Sequence, residues 1–157
     1  MEARVHYARV APGIYEAMLG LMSYLRKSGL DESLVNLVSL RASQINGCAY
    51  CIDMHWKDAR EAGESEQRLY GLPAWRETPF FSGRERAGLA WIEAVTLVSN
   101  AHVPDSVYDE AKAHFSEKEL VDLTYLAATI NAWNRLAIAL RSVPGRYRAA
   151  ITSSSAR

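Results

Sequence analysis

Three residues in the stretch NGCAYCIDMH, from Asn46 to His55, are of types and spacing that could do chemistry together: Cys48, Cys51 and His55. On an α-helix of about 3.6 residues per turn, separations of three, four and seven place all three on one face. Two thiols three residues apart at a first helical turn can close a disulfide on oxidation. The N-terminus of a helix offers unpaired amide N–H groups and a positive dipole end, which favour thiolate over thiol. An imidazole one turn beyond Cys51 adds either a base that takes a proton or a cation that stabilises the resulting anion.

Peroxide reduction needs these parts. A thiolate attacks the O–O bond, the departing alkoxide takes a proton, and a second thiol captures the sulfenic acid before it oxidises further. The resulting disulfide is reopened by a partner dithiol through a mixed disulfide. The expected partners are therefore a hydroperoxide substrate and a dithiol or protein reductant, with no cofactor.

Other readings of the same residues are weaker. Cysteine often packs as a small hydrophobe. A structural zinc site needs a fourth ligand, and His6, His102 and His114 stand isolated, so no metal is expected. A thioredoxin-like domain would need strands, and no run of alternating β-branched residues occurs. His102 precedes Val103-Pro104 and reads as a surface or capping residue; Asp53 and Asp58 read as solvent-facing positions, the alternative being that one of them approaches the site from another subunit. Trp133 is expected to pack and Asn134 to satisfy a backbone group.

The elements that position the pair read as helices almost throughout, giving an all-α domain of about seven. One begins after Pro12 and stops at Gly29. Asp31 is placed to cap a second, whose Leu34, Leu37, Val38, Arg41 and Ile45 recur every three or four residues until Asn46-Gly47 breaks the pattern. A third runs from about Cys48 to Ala62 and ends at Gly63, and Ser65 caps a short fourth through Tyr70. After a loop holding Pro73 and Pro79, a fifth spans Gly83 to Asn100 and a short sixth starts near Asp105. The seventh opens on the capping box Ser116-Glu117-Lys118-Glu119 and runs to Pro144. It is apolar around much of its circumference, which predicts a place at the centre of the molecule or between subunits and so a homo-oligomer.

With 157 residues, the chain fits one domain over 1–150 and a frayed tail over 151–157. Eighteen basic residues cancel eighteen acidic ones and are dispersed, so no nucleic-acid partner is expected. No stretch approaches the roughly 20 apolar residues of a membrane span, and no short apolar segment follows a basic start. A cytoplasmic protein with no membrane partner is the expectation. Two cysteines are too few for a disulfide scaffold.

The run LRASQINGCAYCIDMHWKDARE resembles the core motif of the alkylhydroperoxidase AhpD-like family, within the carboxymuconolactone decarboxylase superfamily. NAWNRLAIALR resembles that family's C-terminal signature. The likeness extends roughly from the first helix to Arg141. It implies an all-helical fold assembling as trimers or hexamers, and thiol-dependent reduction of organic hydroperoxides. By position, the resemblance makes Cys51 the attacking thiol, Cys48 its resolving partner and His55 the proton-relay member. Two positions depart from the family's full relay. Its glutamate, twelve residues before the first cysteine, is replaced by Asn36, and a histidine between the cysteines is replaced by Tyr50. An amide takes no proton, and a phenol with a pKa near 10 is a poor base near neutrality. The resemblance therefore implies peroxidase activity slower than a complete site by about 10- to 10³-fold. Two alternatives remain: a non-catalytic redox sensor or disulfide-exchange protein, and decarboxylation of a cyclic lactone acid, which does not depend on a CxxC pair.

Overall fold

A computed structural model describes residues 2–149 of the chain. Among these residues the secondary structure is helical, with no strand: α1 (Tyr7–Val10), α2 (Pro12–Arg26), α3 (Glu32–Ile45), α4 (Ala49–Glu61), α5 (Glu66–Gly71), a 3-10 segment (Leu72–Glu77), α6 (Gly83–Thr96), α7 (Val98–Ala101), α8 (Asp105–His114) and α9 (Glu117–Ala139). The all-α expectation holds, and each expected helix has a counterpart. The frayed tail expected over 151–157 lies outside the described residues. No described helix is long and apolar enough to cross a membrane.

Local chemistry explains most boundaries. Ser65, Ser82 and Ser116 each accept a hydrogen bond from a first-turn amide, and at Ser82 and Ser116 a glutamate three residues on completes a capping box. Asp31 precedes α3 as expected, yet makes no capping bond; its carboxylate lies 3.6 Å from Arg84 instead. The expected fifth helix is broken at Leu97 into α6 and α7. The loop expected at Pro73 is wound into the 3-10 segment, where the Trp75 indole donates to Glu93 on α6 at 2.9 Å. Arg41 and Arg76 also pair with Glu93, so one buried carboxylate ties α3, α6 and this segment together.

Helix α3 lies at the centre, packed by α4, α6 and α9. Its Leu37, Val38 and Leu40 are fully buried with Leu89 and Ile92 of α6 and Leu123, Leu126 and Ile130 of α9. The α3–α6 approach depends on Gly88, where an added Cβ would lie 2.9 Å from Leu34 Cδ1. On the opposite side of α9, Val121, Tyr125 and Ile138 remain exposed.

Helix α9 stops at Ala139, short of the expected Pro144. Arg141 takes a left-handed conformation with φ 56°, and the Ser142 amide reaches back to the Ala137 carbonyl at 2.8 Å. The chain then folds across α4. Gly145 N–H donates to Asp53 at 2.9 Å, and the Tyr147 hydroxyl donates to Asp58 at 2.6 Å. Asp53 and Asp58, expected at the solvent face, are therefore half-buried under this returning segment.

Candidate active site

The turn between α3 and α4 sets the geometry of the two thiols. Gly47 has φ +66°, a left-handed conformation that strains any residue with a Cβ. Its amide donates to the Gln44 carbonyl at 3.1 Å, and the Cys48 amide to the Ser43 carbonyl at 3.0 Å. This pair of bonds is a Schellman motif, which ends α3 and delivers Cys48 directly to the N-cap of α4. There the Cys48 sulfur accepts from the Cys51 amide at 3.4 Å. Both cysteines are free thiols and buried.

The two sulfurs are not equivalent. The Cys48 thiol is held down to about 7: the Cys51 thiol donates to it, and the Cys51 and Tyr50 amides and Asn134 help, against the cost of burial. Cys51 is pushed the other way, by donating its proton to Cys48, by burial and by the Cys48 charge. The pair thus ionises once near neutrality, with the anion on Cys48 and the remaining proton on Cys51.

Asn134 belongs to a network that braces this turn. The Asn46 amide donates to Asn131 at 3.0 Å and to Asn134 at 2.8 Å, and the Asn134 amide donates to Ser43 Oγ at 3.1 Å. Asn134 was expected to satisfy a backbone group. It is fully buried and joins side chains of α3 to α9 instead, and it favours the thiolate at both cysteines.

His55 is buried, and burial first, with the Arg26 charge second, pushes its pKa down to about 4. Of the two roles open to the imidazole, the neutral base is the one available near neutral pH. Among the described residues, Cys48, Cys51 and His55 are not gathered into a metal-holding group.

Cys51 and His55 open onto a pocket of about 450 Å³. Tyr7, Tyr15 and Trp133 form one wall, with ring centroids 5.7 to 6.3 Å apart. Met54 and Tyr50 add to it; burial raises the Tyr50 pKa and so keeps its phenol protonated, a donor and not a base. Trp133 packs, as expected, and also lines the pocket.

Asn36 does not face this pocket. It lines a neighbouring cavity of about 320 Å³ with Glu32, Asp58 and Tyr147, and Arg26 lines both spaces. Asp58 lies three residues beyond His55 on α4, and its side chain lines this second cavity. Its carboxyl pKa is raised by burial, although Tyr147 and Arg26 oppose the shift. Arg26, Asp58 and Tyr147 were not singled out as site residues from the sequence. Nothing local marks them, since they come from α2, α4 and the returning C-terminal segment and meet only in the folded chain.

A family model described as the Carboxymuconolactone decarboxylase family matches residues 12–94. An uncharacterized protein of Bacillus subtilis, YdfG, is 42% identical over 140 residues, covering 89% of this chain and 95% of that protein. The crystal structure of ATU0492 from Agrobacterium tumefaciens, a protein of unknown function whose name associates it with AhpD antioxidant defence, superposes with a TM-score of 0.90. It is 40% identical, and the match covers 93% of this chain and all of that one. The alkyl hydroperoxide reductase AhpD of Mycobacteroides abscessus is 40% identical over 48 residues, 31% of this chain and 27% of that protein.

Proposed function

The chain belongs to the carboxymuconolactone decarboxylase family, as an AhpD-like member, and from that premise we propose that it reduces organic hydroperoxides at the expense of a dithiol. The observation that carries this reading is the division of labour between the sulfurs: Cys51 faces an apolar pocket large enough for a small organic molecule, while Cys48 sits where a helix N-terminus stabilises its thiolate.

In the proposed cycle Cys51 passes its proton to the Cys48 thiolate or to neutral His55 as the peroxide enters. The Cys51 thiolate attacks the terminal peroxide oxygen. The O–O bond breaks, a sulfenic acid forms on Cys51, and the departing alkoxide takes a proton returned through His55. Cys48, as thiolate, then attacks the Cys51 sulfur. The S–S bond forms, and the hydroxide expelled takes from solvent the proton that Cys48 released on ionising and leaves as water. Two thiols and one hydroperoxide give one disulfide, one alcohol and one water. An external dithiol restores the pair by exchange. Asp58 supplies the carboxylate beside His55 in place of the one absent at Asn36, and Tyr50 donates a hydrogen bond toward the pocket.

Self-association completes the proposal. Exposed Ile14, Leu19 and Tyr24 on α2 and Val121 and Tyr125 on α9 support a homo-oligomer such as a trimer or hexamer. The test of function is consumption of cumene hydroperoxide by the purified protein with dithiothreitol, compared with Cys51→Ser. Loss in the variant supports the peroxidase. Equal slow consumption by both favours a redox sensor, the second reading, which the amide at Asn36 supports. Decarboxylation of a lactone acid that survives Cys51→Ser would point to the family's other chemistry.

A further inference from the structure

We propose that the Cys51 pocket selects an amphipathic acid, a hydroperoxide with an apolar or aromatic body and an anionic end, the body lying among the aromatic side chains and the anion meeting Arg26 and Lys27. This names a substrate class for the peroxidase reading and rests on it.

The charge distribution carries the inference. The chain as a whole has no net charge, yet Arg26 and Lys27 line this pocket and no aspartate or glutamate does. Elsewhere Arg60, Arg86 and Arg135 donate to carbonyl oxygens, and Arg41, Arg68, Arg76 and Arg84 each pair with a carboxylate. Among the described residues neither Arg26 nor Lys27 has such a partner. Arg26 also lines the adjoining cavity with Glu32, Asp58 and Glu61, but pairs with none of them, and Asp58 there accepts from the Tyr147 hydroxyl. Two unmatched cations at the edge of an apolar surface leave a favourable place for one anion, and a guanidinium binds a carboxylate in a fixed two-pronged geometry. The remaining surface suits a hydrocarbon or ring: Tyr7, Tyr15 and Trp133 pack at mutual angles between 44° and 78°, a rigid wall with apolar faces. The volume, about 450 Å³, lies in the range of pockets that enclose a small organic ligand.

The test uses unreactive probes, so that binding is read apart from turnover. Reduced protein is titrated calorimetrically with 4-phenylbutyrate and with 4-phenylbutanol, which share a body and differ in charge. The acid is expected to bind at least ~10-fold more tightly. The Arg26→Gln/Lys27→Gln variant should bind the two alike, and Arg26→Lys should keep part of the preference; both positions are exposed, and circular dichroism checks that the variants fold. Equal affinities in the wild type, an acid preference surviving in the double variant, or no binding of either probe would each overturn the proposal. Turnover of uncharged cumene hydroperoxide by the wild type tests the peroxidase reading separately: acid binding without any peroxide reduction would sink that reading and leave the anion site standing.

Discussion

The Asn46 amide donates to Asn134 at 2.8 Å across 88 residues of chain, fixing the turn that carries Cys48 against the last long helix. Asn134 in turn favours the thiolate at both cysteines. Removing it should cost stability and acidity together. Asn134→Ala is expected to destabilise the fold by about 1 to 3 kcal/mol, since Asn46 and Ser43 lose buried partners. It should also move the Cys48 thiolate titration above its wild-type position near pH 7. Thiolate absorbance followed against pH, alongside denaturant unfolding, checks both effects.

The two cysteines should fail in different ways. Cys51→Ser removes the sulfur that faces the pocket and is expected to abolish peroxide consumption. Cys48→Ser leaves an attacking thiol without a resolving partner, so a sulfenic acid should form on Cys51 and proceed to sulfinic acid under excess peroxide. Intact-mass spectrometry separates these products by one and two added oxygens.

The carboxylate beside His55 can be moved. Asp58→Asn should slow peroxide reduction by about 10-fold or more if proton relay is its contribution, with the pH profile of turnover altered. Adding Asn36→Glu to that variant returns an acid to the same cavity and is expected to recover part of the rate. A rate indifferent to both changes, with the fold intact, would remove Asp58 from the relay.

Burial of neutral His55 has a consequence for stability. Its pKa in the fold is about 4, below the ordinary value of 6.5, so the unfolded chain binds the proton first as pH falls. The stabilisation is full above about pH 6.5 and is lost as pH drops toward 4, by roughly 3 kcal/mol in total. Urea unfolding at pH 7, 5.5 and 4.5 should show this decline in the wild type and a smaller one in His55→Gln.

What could be read from the chain alone was local. The spacing of Cys48, Cys51 and His55 fixes a shared helical face by periodicity, and serine caps such as Ser65 and Ser116 mark helix starts within four residues. The Ser82–Glu85 capping box is equally legible in the sequence. The break at Leu97 and the early end of α9 were not, because hydrophobic spacing continues through both. Asp58 and Asp53 looked solvent-facing because their cover comes from Tyr147 and Gly145, about ninety residues onward. Arg26 carries no motif, and its importance arises only where α2 ends between the two cavities. Asn134 lay inside a recognisable signature segment, which was the one clue to its part in the site.

In the proposed function Cys48 and Cys51 act as one dithiol toward a hydroperoxide. One equivalent of cumene hydroperoxide added to the reduced protein, with thiols and products quantified by mass spectrometry, tests it directly. The expected result is loss of two hydrogens in an intramolecular Cys48–Cys51 disulfide and one equivalent of alcohol. Two thiols left unchanged beside intact peroxide, or oxygen added to Cys51 with no disulfide formed, would contradict it.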